Sequence, residues 1–318
     1  GVISVGRSVG IRYNGAIARL AFGPRVRARV RVALRRAQPD VVHVHEPFVP
    51  SVSMLATLAA KVPVVATFHV SAPRSRLLRA ARLPLRAITR KIDVGIAVSE
   101  EARRTVERAT RIPVRVIPNG VDLDRYAGVS AVDIGAETVC YFGRLERRKG
   151  VRVLCEAFAR IKRDCPTARL VVAGDGPDRE ACEAAVAPAF RDDAVFMGRV
   201  SDEAKLSVIA ASSVIALPAT GGESFGVVLL EAMAAARPVV ATAIPGYAAV
   251  ARDGVEALLV PPADPEALAQ AVVRLMGDPA LSHRLATAGR ARAAEFDWDR
   301  IVVDVERSYA DALGQASR

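Results

Sequence analysis

The chain has 318 residues, 51% hydrophobic and 25% charged, a folded composition long enough for two domains or one large α/β domain. No apolar run reaches the roughly 18 residues that span a bilayer, and the four cysteines, Cys140, Cys155, Cys165 and Cys182, match neither a zinc pattern nor a disulfide scaffold and read as reduced thiols. The net charge of +11 is uneven: residues 1–128 carry 23 basic and 8 acidic side chains, residues 129–318 carry 22 and 26, so the first part is a candidate surface for an anionic partner, membrane or nucleic acid.

Taken in order, residues 1–15 read as a strand and loop from inside a domain, which leads us to expect sequence ahead of Gly1. Pro24 opens a helix, proline being tolerated in a first turn. Val26, Val30, Ala33, Leu34 and Ala37 form an apolar stripe at helical spacing, with Arg25, Arg27, Arg29, Arg31, Arg35 and Arg36 covering much of the rest. Short apolar runs then alternate with helical patterns. Strands are predicted over 41–44, 62–68, 92–98 and 114–117, with helices over 53–60 and from Ser99. A second basic stretch runs from Arg74 to Lys91. The pattern restarts with strands over 138–142, 168–173, 194–197, 214–217, 238–242 and 257–260. Helices over 151–163, 178–187, 201–212, 225–236, 265–277 and 279–294 separate and follow them. Strands of four to six residues followed by longer helices predict parallel sheets with helices on both faces. The domain boundary is expected near residues 120–137, and a ligand crevice at the carboxyl ends of the strands.

Two segments in the second half suit a phosphorylated ligand. Gly143-Arg144 follows a strand and Lys149-Gly150 opens the next helix. An arginine, a lysine and a helix N-terminus together fit a diphosphate, although a merely solvated basic loop, with Arg147 and Arg148 between them, reads as well from this segment alone. Gly221-Gly222-Glu223-Ser224-Phe225-Gly226-Val227 precedes a helix expected to begin near Ser224, with Glu231 about two turns in. Side chains seven or eight apart share a helix face, so one carboxylate could meet a sugar and the other a ribose.

Together these residues resemble the retaining glycosyltransferases of family 4, whose Glu-x7-Glu pair fits Glu223 and Glu231. Pro118-Asn119-Gly120-Val121-Asp122 and Gly174-Asp175-Gly176-Pro177 are further family marks. In the first half, 13–24, His45-Glu46-Pro47, 50–55 and Ala66-Thr67-Phe68-His69 are similar to the phosphatidylinositol α-mannosyltransferases, with Tyr13–Pro24 in the place of an acceptor-side loop. The resemblance implies the α/β GT-B fold, two Rossmann-like domains facing a central crevice, the first N-terminally truncated. It divides the chain into an acceptor- and membrane-binding domain (1–125), a donor-binding domain (126–296) and a C-terminal helix (297–318) packing back on the first.

The same resemblance implies transfer of mannose from GDP-mannose to the inositol ring of phosphatidylinositol. His69 would be the active-site histidine, with Val70 standing where the family usually has a hydroxyl residue. Arg144 and Lys149 would hold the diphosphate, Glu223 the mannose and Glu231 the ribose. Ser224, Phe225, Gly226 and Val227 would offer backbone contacts, and Val200 and Lys205 would lie near the guanine. Tyr13, Asn14 and Arg19 would face the phosphoinositol head. No tightly bound cofactor is expected, and any Mg²⁺ would be weakly held. The basic helix would lie on an anionic membrane at its cytoplasmic face, at about 1 kcal/mol per cation. Nucleic acid is disfavoured because no aromatic platform interleaves the arginines. Alternatives are a family 4 enzyme with another donor or acceptor, a nucleotide-sugar epimerase, or an inactive remnant.

Overall fold

The alternation of apolar runs with amphipathic stretches resolves into two units. A computed structural model describes residues 1–7, 9–13, 16–70, 82–110, 112–135 and 137–316. Unit 1 comprises Gly1–Asn119 and Asp299–Arg318, and unit 2 comprises Gly120–Trp298.

Unit 1 begins with a hairpin, not the strand and loop expected. Strands β1 (Val9–Tyr13) and β2 (Ala16–Leu20) pair antiparallel, with Tyr13 opposite Ala16. Asn14 and Gly15, between them in the sequence, lie outside the described residues. The main sheet is parallel, in the order β3 (Val42–His45), β4 (Val64–Phe68), β5 (Val94–Ala97) and β6 (Val114–Val116). β4 and β5 are buried along their whole length, as strands covered on both faces must be. Helices Val52–Ala59, Arg82–Thr89 and Glu100–Thr110 connect them. Ser51 and Ser99 cap two of these by accepting from Met54 N and Ala102 N. The chain's last helix, Trp298–Ala316, packs on this sheet: Ile301 and Ala312 join Val65, Val94, Ile96 and Ile117 in one cluster.

The helix Pro24–Ala37 forms where predicted. Val30 is its buried residue and Val26, Ala33 and Leu34 are half-buried, but Ala37, at the helix's last position, is exposed and does not extend the stripe; all six arginines are exposed. Among the described residues none of the six pairs with a carboxylate. Of the second basic stretch, Arg74, Arg76 and Arg79 lie outside the described residues.

Unit 2 carries six parallel strands: β7 (Thr138–Phe142), β8 (Arg169–Ala173), β9 (Ala194–Gly198), β10 (Val214–Leu217), β11 (Val239–Thr242) and β12 (Leu258–Val260). Their order is β12-β11-β10-β7-β8-β9. Read from β9, this is the 3-2-1-4-5-6 order of a nucleotide-binding sheet, whose direction of growth reverses between β7 and β10. The helix Val151–Asp164 buries Val151, Leu154, Cys155, Phe158 and Ile161, a stripe at helical spacing. All four cysteines are free. Among the described residues no helix is long and apolar enough to cross a membrane.

Candidate active site

In an open parallel sheet the ligand site lies beyond the carboxyl ends of the strands where the order reverses. In unit 2 that point is flanked by the loop after β7 (143–150) and the loop after β10 (218–226). Both loops are pinned by backbone. Thr220 N donates to Arg148 O at 2.8 Å, and Leu145 N donates to Asp175 O at 3.0 Å. Gly174, one of the motif glycines, packs so tightly that a Cβ would lie 1.8 Å from Gly143 O.

The two loops bring three cations and two carboxylates together. Arg148 spans them: its Nε donates to Glu146 Oε2 at 3.0 Å, and its Nη1 donates to Glu223 Oε1 at 2.6 Å and to Gly222 O at 3.0 Å. Lys149 Nζ lies 2.9 Å from the same Glu223 oxygen. Arg144 Nη2 stands 2.6 Å from Glu146 Oε1, while more than half of its side chain remains exposed. Glu146 itself is fully buried. Tyr141, beneath the loop, donates its hydroxyl to Arg144 O at 2.9 Å. Burial, with Glu223 nearby, pushes that hydroxyl's pKa up.

The helix after β10 starts later than expected, at Val227. Gly226 takes a left-handed conformation (φ 77°), and a Cβ there would lie 2.6 Å from Tyr247 Cδ1. The segment 223–226 therefore turns before the helix instead of belonging to it. Glu223 and Glu231 do not share a helix face as the spacing suggested. Glu223 is a loop residue held by Arg148 and Lys149. Glu231 is on the helix, where Lys205 Nζ donates to it at 2.7 Å. The Tyr126 hydroxyl is also bonded to Glu231, and its pKa is raised by burial and by that carboxylate. Lys205 is thus engaged with Glu231, and Val200 is half-buried beyond β9. Phe225 is buried and packs edge-on against Phe296 at 5.6 Å, so only its backbone faces the loop. Ser224 is half-buried and Val227 exposed.

Unit 1 carries a second cluster, at the carboxyl ends of β3 and β4. His43 and His45 share a face of β3, being two residues apart. Their rings stack at 4.7 Å, and His45 stacks on His69 at 5.2 Å. His45 Nδ1 and His69 Nε2 are 2.9 Å apart, so one carries the proton that the other accepts. His43 meets Tyr309 of the last helix through Nδ1 and Thr67 through Nε2, each at 2.7 Å. Burial, then the neighbouring imidazoles, pulls His43 and His69 down to about 4, and burial lowers His45. The three rings are therefore neutral at physiological pH. Glu46 accepts from His69 N and from Val70 N at 2.7 Å, and burial raises its pKa against those bonds. The sequence reading singled out His69 but missed its partnership with His43 and His45. The alternation of His43 and His45 in a strand was the available signal.

Among the described residues no group of three His, Cys, Asp or Glu side chains is arranged to hold a metal ion. Asn14 lies outside the described residues. Tyr13 and Arg19 are placed in β1 and β2 by their backbones, so they belong to a hairpin and not to a loop.

Comparison with known proteins accords with this geometry. Residues 136–278 match the family described as Glycosyl transferases group 1, and residues 3–125 match Glycosyltransferase Family 4. The phosphatidyl-myo-inositol mannosyltransferase of Mycobacterium tuberculosis is 38% identical over 325 residues, covering 99% of this chain and 85% of the relative. That of Mycobacterium leprae is also 38% identical, covering 100% and 85%. Among solved structures, HepE of Anabaena in complex with UDP is similar in fold, with a TM-score of 0.76 at 21% identity over 90% of this chain and 82% of that one.

Proposed function

The chain belongs to the family 4 glycosyltransferases, built from two Rossmann-like units of the GT-B class, and on that premise we propose that it transfers mannose from GDP-mannose to the inositol ring of phosphatidylinositol with retention. The observation that carries the transfer chemistry is the cation–carboxylate cluster at the order reversal of the unit 2 sheet. Mannose and phosphatidylinositol are supported by the names of relatives 38% identical over nearly the whole chain.

In this reading residues 126–296 bind the donor. Arg144 and Lys149 hold the diphosphate, and Ser224, Phe225, Gly226 and Val227 offer backbone groups near it. Glu223 meets the mannose, Glu231 the ribose, and Val200 and Lys205 the base. Negative charge grows on the departing diphosphate as the anomeric bond loosens. Cations already fixed in the loops stabilise that charge more in the transition state than in the ground state, each aligned donor contributing about 3 kcal/mol. The acceptor hydroxyl attacks from the same face, and the leaving phosphate takes its proton. His69, neutral at physiological pH, serves as a hydrogen-bonding group and not as a cation.

Residues 1–125 take the acceptor, with Tyr13, Asn14 and Arg19 toward the phosphoinositol head, and the 297–318 segment completes this domain. The helix Pro24–Ala37 lies on the cytoplasmic membrane face through Arg25, Arg27, Arg29, Arg31, Arg35 and Arg36. Beside it opens a cavity of about 550 Å³ whose cations are Arg31, Arg35, Lys61 and Lys91.

A donor panel tests the assignment. With phosphatidylinositol in anionic liposomes, GDP-mannose should give lipid-soluble label, and GDP-glucose and UDP-glucose little. Glu223→Ala should reduce transfer at least a hundredfold. Equal transfer from a UDP-sugar, or full activity in Glu223→Ala, would contradict it.

A further inference from the structure

Glu146 stands apart from the other charged residues of the cluster because it is fully buried. A buried carboxylate persists only when it is paired and hydrogen-bonded, and its partners are the residues that matter for the donor. Oε2 accepts from Arg148 Nε at 3.0 Å. Oε1 sits 2.6 Å from Arg144 Nη2, yet without the alignment of a hydrogen bond and with no other partner. Arg144 is thus held by charge while its hydrogens remain available to another acceptor, and its side chain is 54% exposed. On the other side Arg148, held at Nε by Glu146, uses Nη1 to grip Glu223 at 2.6 Å and Gly222 O at 3.0 Å.

We infer that Glu146 is the positioning residue of this site: one buried carboxylate aims Arg144 at the donor diphosphate and, through Arg148, fixes Glu223 for the sugar. The inference rests on the donor-site reading given above and deepens it. Arg148 is a relay in this scheme and touches neither diphosphate nor sugar. Two carboxylates and three cations leave the cluster one positive charge in excess, so Glu146 also limits how firmly the cluster holds GDP after transfer.

Charge and position can be separated because they predict different effects on kcat. Glu146→Gln keeps the shape, removes one negative charge beside the diphosphate site, and turns an amide N–H toward an arginine. As a mere counter-charge, Glu146 would on removal tighten GDP and leave kcat alone. As a positioning residue, its loss should lower kcat at least tenfold while GDP affinity holds within threefold or tightens. Arg148→Met tests the relay from the less buried end and should show the same split. In the double variant the two losses should not add, since both interrupt one chain of contacts.

The measurements are kcat and KM for GDP-mannose and phosphatidylinositol, GDP affinity by titration calorimetry, and the thermal midpoint of each variant. Unchanged kcat in both single variants overturns the inference. So does a parallel fall of kcat, GDP affinity and folded fraction, which a purely structural role predicts. Arg144→Ala is the control for the underlying reading. If it loses transfer while Glu146→Gln does not, only the inference fails. If Arg144→Ala also retains full activity, the donor-site reading fails with it.

Discussion

At the scale of single residues, the histidine stack makes a signed prediction about pH. His43 and His69 are pulled down to about 4, and His45 is lowered too, against an unfolded value near 6.5. A histidine whose folded pKa is depressed leaves the unfolded chain binding more protons, so its contribution is intact above about 6.5 and is lost as pH falls toward 4. Glu46, whose folded pKa is raised, works the other way: its contribution is present at low pH and fades as pH rises through that value. Three rings against one carboxyl give the histidines the larger effect. The urea midpoint should therefore fall between pH 6.5 and 4.5, and His43→Gln should flatten that slope. A midpoint that is level or rises on acidification in the parent chain would contradict the geometry. Much of the donor cluster was legible at this scale. Arg144, Lys149, Glu223 and Glu231 stand out from local strings. Arg148 reads locally only as part of a basic loop and Glu146 carries no local signal, because Arg148 joins Glu146 to a carboxylate 75 residues farther along the chain, and no local spacing encodes that.

At the scale of elements, parallel strands are short apolar runs and the helices carry polar N-caps such as Asp264 and Asp278, so most of the alternation could be read directly. Two misreadings have specific causes. The run from Phe225 to Ala236 is apolar enough to look helical throughout, but the left-handed Gly226 delays the helix to Val227. Residues 1–15 look like a strand and loop because β1 finds its partner in Ala16–Leu20, a pairing that the local pattern does not display. The helix Pro24–Ala37 has a prediction of its own. Its arginines are exposed and unpaired with carboxylates among the described residues, as a membrane-facing surface requires. Replacing Arg27, Arg31 and Arg35 by Gln should weaken binding to phosphatidylinositol-containing vesicles by roughly a hundredfold, at about 1 kcal/mol per cation. GDP affinity should be unchanged, and vesicle binding of the parent should weaken as salt rises. Unaltered vesicle flotation in the triple variant would assign these arginines to solvent.

At the scale of the molecule, the charge asymmetry visible in the sequence coincides with the division of labour proposed for the two halves: basic toward the acceptor membrane, near-neutral toward the nucleotide sugar. The return of the last helix to unit 1 depends on pairs such as His43 with Tyr309 and Arg115 with Asp311, which link residues some 200 or more positions apart. Such pairs leave no periodic trace in the sequence. The central claim is that this chain makes an α-mannosyl phosphatidylinositol. The most direct measurement is the structure of the product lipid, isolated after incubation with GDP-mannose and phosphatidylinositol liposomes and examined by mass spectrometry and NMR. The account predicts a single mannose joined to the inositol ring by an α-linkage. A β-linkage, a mannose placed elsewhere on the lipid, or free mannose as the sole product of a folded, GDP-binding protein would contradict it.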